Sequence, residues 1–257
     1  MARIFITGSS DGRGLMVGQD LVDQGHRVVL HARNDDRAAE AKKAAPKAEA
    51  VVVGDLASIA ATKDVAAQVN ALGSFDAVIH NAAVGYREEQ RTTSDGLLHV
   101  FAINTLAPYI LTMLIERPKR LVYLSSGMHE RVNANLDDIM WRKRPWDGST
   151  AYAESKLHDV MLAFTVARLW PNVLSNALTP GWVPTKMGGA GAPDDMAQAH
   201  LTQTWLATSD DAEAKTTGGY FYHLKRREPN REARKESVQD RLIDICQEIS
   251  GIAMPWN

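Results

Sequence analysis

The sequence predicts an α/β fold in which a doubly wound parallel sheet of about seven strands carries helices on both faces. Three observations support this prediction. Short apolar runs of strand-forming residues recur along the chain, a helix-like segment follows each run, and a glycine-rich turn follows the first run. Right-handed helical crossovers between parallel strands cover both faces of such a sheet. A chain of 257 residues is long enough for one large core, so we expect a single domain over residues 1–257, including a substrate loop at about 184–205.

The first predicted unit is a strand, a tight turn and a helix start between Arg3 and Leu15. Apolar residues lead directly into Gly8, Gly12 and Gly14, and an amphipathic segment follows. Backbone N–H groups in the first turn of such a helix lack internal acceptors and lie at the positive end of the helix dipole, so they can bind a pyrophosphate. Glycines allow a close approach of the ligand. A simple connection between a strand and a helix is the alternative interpretation of the same cluster.

The later elements alternate in the same way. Strands are predicted at 27–31, 50–53, 75–80, 120–125 and 173–178, and helices at about 35–45, 58–72, 97–115 and 150–170. A polar, irregular insertion is expected at 129–149, a mobile glycine-rich loop at 186–193, and a solvated turn and helix start at 225–235. Cys246 lies in an apolar-periodic helix, and we therefore expect a buried, inert thiol.

Composition excludes several classes of function. The 29 basic and 31 acidic residues nearly balance, which argues against a nucleic-acid partner and favours a small molecule. A lone cysteine excludes an internal disulfide, and eight scattered histidines without metal-ligand spacing predict no metal site. The chain enters a strand almost at once and has no stretch of the roughly 18 apolar residues that a membrane span needs. We therefore expect a cytoplasmic protein that does not bind membranes.

Candidate functional residues follow the predicted strands, and ligands of open parallel sheets bind at the carboxyl ends of the strands. The residues after the second to sixth strands include Arg33, Asp55, Asn81, Ser126 and the pair Pro180–Gly181. Tyr152 and Lys156 are four residues apart on a predicted helix and therefore share one face. A phenol beside an ammonium group ionises more readily and can exchange protons near neutral pH. Alone, however, this spacing is also typical of a solvated helix face.

The residues after the second strand bear on the choice of cofactor. An enzyme that prefers NAD(H) places a carboxylate there for the ribose 2′-hydroxyl, whereas this chain has Ala32 followed by Arg33. A guanidinium group suits the 2′-phosphate, so we expect NADP(H), with NAD(H) as the second option. A solvent-exposed Arg33 is the alternative. Arg13 could be a second phosphate contact, could cover the adenine or could pair with a local acidic residue.

Taken together, these motifs resemble the short-chain dehydrogenase/reductase family over 3–185. The matching segments are T-G-x-x-x-G-x-G at 7–14, Asp55-Leu56, Asn81-Ala82-Ala83, Asn104, Ser126, Tyr152 with Lys156, and Pro180-Gly181-x-Val183-x-Thr185. The chain departs from the family pattern in having Arg13 for an aliphatic residue, His80 for asparagine and Ala83 for glycine. A weaker resemblance to retinol-dehydrogenase-like members lies in the insertion before Tyr152 and in 217–221.

The resemblance implies a Rossmann-type fold and hydride transfer between a nicotinamide and a carbonyl or alcohol. It implies that Tyr152 is the general acid/base and that Ser126, the second serine of its pair, binds the reacting oxygen. Lys156 would bind the nicotinamide ribose and favour the phenolate of Tyr152, while Asn104 would hold a water of the proton relay. Asn81 would steady the sheet beside the cofactor. The expected cofactor-binding residues are Thr7, Gly8, Ser10, Gly12, Arg13, Gly14, Arg33, Asp55, Leu56, Asn81, Ala82, Tyr152, Lys156, Pro180, Gly181, Val183 and Thr185.

The sequence thus predicts an NADP(H)-dependent oxidoreductase that acts on an aldehyde, ketone or alcohol. Two alternatives are a non-catalytic dinucleotide-binding redox sensor and an epimerase or dehydratase. A sensor has no need of the serine, tyrosine and lysine together, and the stretch after Pro180 is short for an epimerase. Family members often pair through the helices that hold Asn104 and Tyr152, which implies a homodimer or homotetramer. Two or three residues of an apolar substrate cleft are expected among Met128, His129, Trp141, Trp146, Trp182, Met187 and Trp205.

Overall fold

Strands and helices alternate through most of the chain in a computed structural model that describes residues 1–185 and 187–255. The strands are β1 (Arg3–Ile6), β2 (Arg27–Ala32), β3 (Ala50–Val53), β4 (Ala77–His80), β5 (Arg120–Leu124), β6 (Leu174–Thr179), β7 (Tyr220–Tyr222) and β8 (Lys225–Arg227). The helices are α1 (Gly12–Asp23), α2 (Asp35–Ala44), α3 (Ile59–Ala71), α4 (His99–Phe101), α5 (Ala107–Leu114), α6 (Gly148–Leu169), α7 (Leu201–Thr208) and α8 (Glu236–Ser250). Both types of element therefore follow the predicted alternation, with ends that shift by a few residues.

The strands form one sheet in the order β3-β2-β1-β4-β5-β6-β7-β8. All neighbouring strands are parallel except β7 and β8, which are antiparallel. The strand order reverses between β1 and β4, and a ligand crevice opens outside the carboxyl ends of strands at such a point. The predicted fold class is confirmed. The sheet has eight strands, and the interpretation of Lys225–Arg227 as a solvated turn is wrong, because this segment forms the exposed edge strand β8.

The sheet separates two hydrophobic layers. Side chains alternate along a strand, so Phe5 packs in one layer while Ile4 and Ile6 pack in the other, and all three are fully buried. Strands that are buried on both faces explain why the sequence shows continuous apolar runs rather than an alternating pattern.

Two regions differ in detail from the expected elements. The helix predicted at 97–115 consists of α4 and α5 joined by a π-helical turn over Ala102–Leu106. The insertion predicted to be irregular contains 3₁₀ turns at Gly127–Arg131 and Leu136–Asp138. Lys186, the first residue of the predicted glycine-rich loop, lies outside the described residues.

Asp147 ends the insertion and begins the helix that bears the tyrosine and lysine. Its carboxylate accepts a hydrogen bond from Thr150 N at 2.6 Å, which satisfies one of the free donors of the first turn of α6. In the part of the chain that the structure describes, every helix is too short or too polar to cross a lipid bilayer.

Candidate active site

The glycine turn joins the carboxyl end of β1 to α1. Gly8 and Gly12 have φ angles of +59° and +53°, a region that favours glycine. A Cβ atom on Gly14 would lie 2.4 Å from both Asn81 Nδ2 and Gly8 O, so this position has no room for a larger residue. The three glycines therefore serve two needs, the left-handed backbone of the turn and its close packing against the β4 end.

Side-chain hydrogen bonds fasten the turn to the neighbouring strand end. Asn81 Nδ2 donates to Thr7 O at 3.0 Å and to Gly8 O at 2.9 Å. Thr7 Oγ1 accepts from the backbone N–H groups of Asn81 and Ala82, both at 3.0 Å. Thr7 is buried and acts here as a structural link rather than as part of the cleft surface.

His31 at the end of β2 also holds the turn, a role that the sequence analysis missed. Its Nδ1 accepts from Gly8 N at 3.0 Å, and its Nε2 faces Gly54 O at 2.9 Å, so the hydrogen resides on Nε2. Burial lowers the pKa of His31 to about 4, which keeps the ring neutral at physiological pH. The sequence offered one signal for this role, because His31 directly precedes Ala32 and Arg33, the residues that bear on the choice of cofactor.

A cleft of about 570 Å³ opens beside the glycine turn, at the switch point of the sheet. The predicted residues that line it are Gly8, Ser10, Gly12, Arg13, Gly14, Arg33, Asp55, Leu56, Asn81, Ala82, Thr185 and Met187. Lining residues that were not predicted include Asp11, His31, Arg37, Ala83, Val84, His99, Ile103 and Met196. Pro180, Gly181, Val183, Asn104, Ser126, Tyr152 and Lys156 do not line this cavity.

Arginines dominate the charge of the cleft. Arg37 forms ion pairs with Asp11 and Glu40, whereas Arg33 is exposed and makes no ion pair with a described residue. Ala32, at the position where a carboxylate would select NAD(H), is buried and uncharged. The cleft thus presents a free guanidinium group at the end of β2.

Tyr152 and Lys156 lie on one face of α6, and both are almost fully buried. Lys156 Nζ lies 5.8 Å from the centre of the Tyr152 ring, and Tyr86 packs edge-to-face on that ring at a centroid distance of 6.1 Å. Lys156 Nζ donates to Leu124 O and to Asp159 Oδ2, both at 2.8 Å. The ammonium group is therefore oriented by the end of β5 and by the next turn of its own helix.

Asp159 was missed by the sequence analysis although it lies three residues after Lys156, at a spacing that brings helical side chains together. It is 1% exposed, and burial raises its pKa to about 6 while Lys156 acts to lower it. Near neutral pH the side chain is therefore mostly ionised and balances the charge of the buried ammonium group.

The two serines after β5 have different surroundings. Ser125 is buried and its Oγ donates to Lys156 O at 2.6 Å, whereas Ser126 is half-buried and its Oγ accepts from Met128 N at 3.3 Å. His129 is fully buried; its Nδ1 donates to Ser126 O at 2.6 Å while its Nε2 accepts from Asn230 N. Burial lowers the pKa of His129, so this residue has a structural role.

Asn104 lies in the π-helical turn, and its amide is engaged by protein groups. Its Oδ1 accepts from Val84 N at 2.9 Å, and its Nδ2 donates to Val84 O and Ser155 Oγ, both at 3.0 Å. Ser155 Oγ in turn donates to Tyr152 O at 2.7 Å. Asn104 thereby connects the loop after β4, which lines the cleft, to the helix of Tyr152.

A buried carboxylate fixes the insertion to α6. Glu154 accepts two hydrogen bonds from Arg144, both at 2.6 Å, and one from Trp141 Nε1 at 3.0 Å. Trp141 packs against Trp146 and is 4% exposed. Trp141 is therefore one of the candidates that pack inside the protein, because its indole belongs to this internal network.

The other apolar candidates are divided between the core and the surface. Trp205 packs against Phe221 and donates to Asp211, so this candidate is a partly buried packing residue on α7. Met128 and Trp182 are exposed, and Met187 lines the cleft. Gly181 has a φ of +86°, and Trp182 N donates to Asp194 Oδ2, so the segment after β6 turns sharply towards the cleft residue Thr185.

Cys246 is fully buried, and burial raises the pKa of its thiol, as expected for an inert cysteine. Within residues 1–185 and 187–255, no group of three histidine, cysteine or carboxylate side chains has the arrangement of a metal site.

Comparison with known proteins gives the evolutionary context of this arrangement. Residues 2–128 match the family model of the short chain dehydrogenases. The chain is 46% identical to the "Uncharacterized oxidoreductase AN7799" of Emericella nidulans, with 99% of each chain covered. It is 41% identical to the "Short-chain dehydrogenase chyC" of Penicillium rubens, over 99% of this chain and all of that protein. Human "Retinol dehydrogenase 13" is 28% identical over 98% of this chain and 85% of its own length, in line with the weaker resemblance.

Solved structures share the fold. An uncharacterized protein from Mycobacterium paratuberculosis superposes with a TM-score of 0.81 at 22% identity, covering 99% of this chain and 95% of that chain. A "blue fluorescent protein from metagenomic library in complex with NADPH" superposes with a TM-score of 0.67 at 21% identity, covering 86% of this chain and 95% of that chain. The identity and coverage shared with the fungal relatives show that the chain belongs to the short-chain dehydrogenase family of oxidoreductases.

Proposed function

We propose that this oxidoreductase transfers a hydride between NADP(H) and a small carbonyl or alcohol substrate, with Tyr152 as the general acid/base. Two observations carry the proposal: a cleft lined by the open glycine turn and by Arg33, which has no ion-pair partner among the described residues, and the buried pair of Tyr152 and Lys156 on α6. The turn offers backbone donors for phosphates, and the pair on α6 offers a group for proton transfer.

The residues present fit a dinucleotide. A Cβ on Gly12 would meet no atom within 4 Å, so the turn is open at this residue. A Cβ on Gly8 or Gly14 would instead collide with protein atoms of the segment after β4. The volume of the cleft lies in the range typical of small-molecule sites. The backbone of Gly12–Gly14 would hold the pyrophosphate, Asp55 and Leu56 would border the adenine, and Lys156 would bind the nicotinamide ribose.

The preference for the phosphorylated cofactor is attributed to Arg33. Its guanidinium group lines the cleft without an acidic partner among the described residues, and Ala32 gives no carboxylate that would repel a 2′-phosphate. The NADPH complex of the metagenomic blue fluorescent protein shows that a fold of this kind accommodates the reduced cofactor in that protein.

Tyr152 and Ser126 would transfer the proton and stabilise the negative charge that develops on the substrate oxygen. The bound nicotinamide would supply or accept the hydride. Tyr152 would donate a proton to the carbonyl oxygen in the reductive direction and accept it in the oxidative direction. Ser126 would donate a hydrogen bond to the same oxygen, because among the described residues its hydroxyl accepts one hydrogen bond, from Met128 N at 3.3 Å, and donates none.

The test compares Tyr152→Phe with Tyr109→Phe, a buried tyrosine whose hydroxyl donates to Ile252 O in the core. Turnover of NADPH against a panel of aldehydes and ketones should fall at least about a hundredfold in Tyr152→Phe, as expected for loss of a general acid. NADPH binding should remain near wild type. Tyr109→Phe should keep its turnover. Unchanged turnover in Tyr152→Phe would reject the assigned role.

The cofactor preference has a separate test. Arg33→Asp should shift the ratio of kcat/KM for NADPH over NADH towards NADH by at least about tenfold, because one charge-assisted contact is lost and a repulsive charge is added. Arg142→Asp, on the exposed surface of the insertion, is the matched charge control. If the ratio does not move in Arg33→Asp, this residue does not bind the 2′-phosphate.

A further inference from the structure

Arg13 introduces a positive charge at an unusual place in the cleft. It is the second residue of α1, between Gly12 and Gly14, and its side chain lines the cavity. Its Nε atom is buried without a hydrogen-bond partner, and no carboxylate forms an ion pair with it in the described part of the chain. Arg13 is half-buried as a whole, but a buried guanidinium nitrogen without a hydrogen-bond partner is costly for a protein and points to a role with a ligand.

The charge of Arg13 interacts with Tyr152, the proposed acid/base residue of the site. Burial lowers the pKa of Arg13 from its usual value, and the phenol of Tyr152, when ionised, acts to raise it. Arg33 follows the end of β2 and lines the same cleft. Of the two arginines, Arg13 is the one whose charge interacts with the phenol of Tyr152, so we assign it to the reacting end of the site.

The two redox states of a nicotinamide differ in charge. The oxidised ring carries a positive charge and the reduced ring is neutral. A fixed cation that is shielded from water repels the oxidised ring and has little effect on the reduced ring, because like charges a few ångströms apart in protein interact far more strongly than in bulk water. A contact with the pyrophosphate, which has the same charge in both forms, would strengthen the binding of both equally.

We propose that Arg13 makes the protein discriminate between the two oxidation states of its cofactor, favouring NADPH over NADP⁺ and thus the reduction of the carbonyl. This inference rests on the proposed function, since it requires the nicotinamide to lie near Tyr152. In the favoured direction the carbonyl carbon gains the hydride and its oxygen gains the proton of Tyr152. The nicotinamide ring would then carry a positive charge near Arg13, and the repulsion would promote the release of the oxidised cofactor.

The experiment measures equilibrium affinities rather than turnover. Dissociation constants for NADPH and NADP⁺ are determined by fluorescence titration and calorimetry for wild type, Arg13→Leu and Arg13→Lys. Leucine is a conservative choice for folding, because an aliphatic residue is usual at this position in the family that the sequence resembles, and lysine keeps the charge. Wild type should bind NADPH more tightly than NADP⁺, and Arg13→Leu should reduce this preference at least about tenfold, the size expected for like charges within roughly 12 Å of each other at an effective dielectric constant of about 20. Arg13→Lys should keep most of the preference.

Each other outcome overturns the proposal. Equal weakening of both forms in Arg13→Leu would make Arg13 a phosphate contact, and unchanged affinities would make it irrelevant to the cofactor. Tyr152→Phe provides the distinction from the proposed function, because it should abolish turnover while leaving the ratio of the two dissociation constants near wild type. A changed preference in Arg13→Leu together with unaffected turnover in Tyr152→Phe would support the role of Arg13 and reject that of Tyr152.

Discussion

Gly14 allows a prediction whose size can be worked out from the structure. An alanine there would place its Cβ 2.4 Å from Asn81 Nδ2 and 2.4 Å from Gly8 O, and neither neighbour is the free end of a flexible chain. The amide of Asn81 must therefore move away from Thr7 O and Gly8 O, which it now holds at 3.0 and 2.9 Å. Gly14→Ala should thus loosen the connection between β1 and β4 and disturb the turn.

Each lost hydrogen bond contributes about 0.5–1.5 kcal/mol, and each buried polar group left unpaired adds a further penalty of about 1–3 kcal/mol. We therefore expect Gly14→Ala to lower the free energy of unfolding by about 2–4 kcal/mol. With an unfolding entropy of about 2.1 cal/mol/K per residue, this corresponds to a decrease of about 4–7 °C in melting temperature for 257 residues. Calorimetric melting measures the decrease, and a parallel NADPH titration should show affinity at least about tenfold weaker.

Gly12→Ala is the matched control. Its Cβ would meet no atom within 4 Å, but its φ of +53° is unfavourable for alanine, so it should lose only about 1 kcal/mol of stability. Because that Cβ points into the open cleft, Gly12→Ala should weaken cofactor binding with little change in melting temperature. A Gly14→Ala protein that melts within 1 °C of wild type would refute the steric reasoning.

Two further predictions concern buried charge. Lowering the pH from 7 to 4.5 should decrease the urea midpoint of unfolding. Burial lowers the pKa of three imidazoles from 6.5 to about 4, 3 and 4. In this pH range the imidazoles therefore bind protons in the unfolded chain but stay mostly neutral in the native state, which favours unfolding. These imidazoles are those of His31, His80 and His158. Each imidazole lowers the free energy of unfolding by up to about 3 kcal/mol as the pH falls towards 4. The raised pKa of Asp159 has the opposite effect on stability, but it is one group against three. A constant urea midpoint would contradict this account. Glu154→Gln should lower the free energy of unfolding by about 2–4 kcal/mol, because Arg144 loses its bidentate carboxylate and keeps only the longer ion pair with Asp138, at 3.4 Å. The exposed Glu228→Gln should leave the denaturant midpoint unchanged.

Elements with a strong local pattern could be predicted from the sequence. The strands after the glycine turn and the helices between them follow apolar periodicity, whereas the position of the switch point between β1 and β4 comes from the structure. The strand-end rule also located Arg33 and Asp55, which line the cleft. Their assignment to a cofactor stays a prediction.

Features that depend on contacts distant in sequence could not be predicted. The pairing of β8 with β7 comes from a hairpin whose turn residues, His223 and Leu224, lack the usual glycine or asparagine. The role of His31 depends on Gly8 and Gly54, which are 23 residues away in opposite directions. A polar side chain that is buried because its partner is buried leaves no periodic pattern in the sequence.

The π-helical turn has the same limitation. One extra residue in a helical turn leaves the composition of the segment unchanged, and the apolar spacing on either side still fits an ordinary helix. Its benefit appears only in three dimensions, where it brings Asn104 to Val84 and Ser155.

The last strand, β8, covers the edge of β7 that would otherwise be open to pairing with another sheet. Without β8, the outer edge of β7 would expose unpaired backbone N–H and C=O groups in a strand of three aromatic residues, Tyr220–Tyr222. Such an edge is a template for edge-to-edge aggregation. The three residues of β8 are all cationic and exposed, so a second sheet that approaches this edge meets positive charges and a strand of only three residues. Removal of the hairpin should therefore promote self-association through the exposed edge of β7.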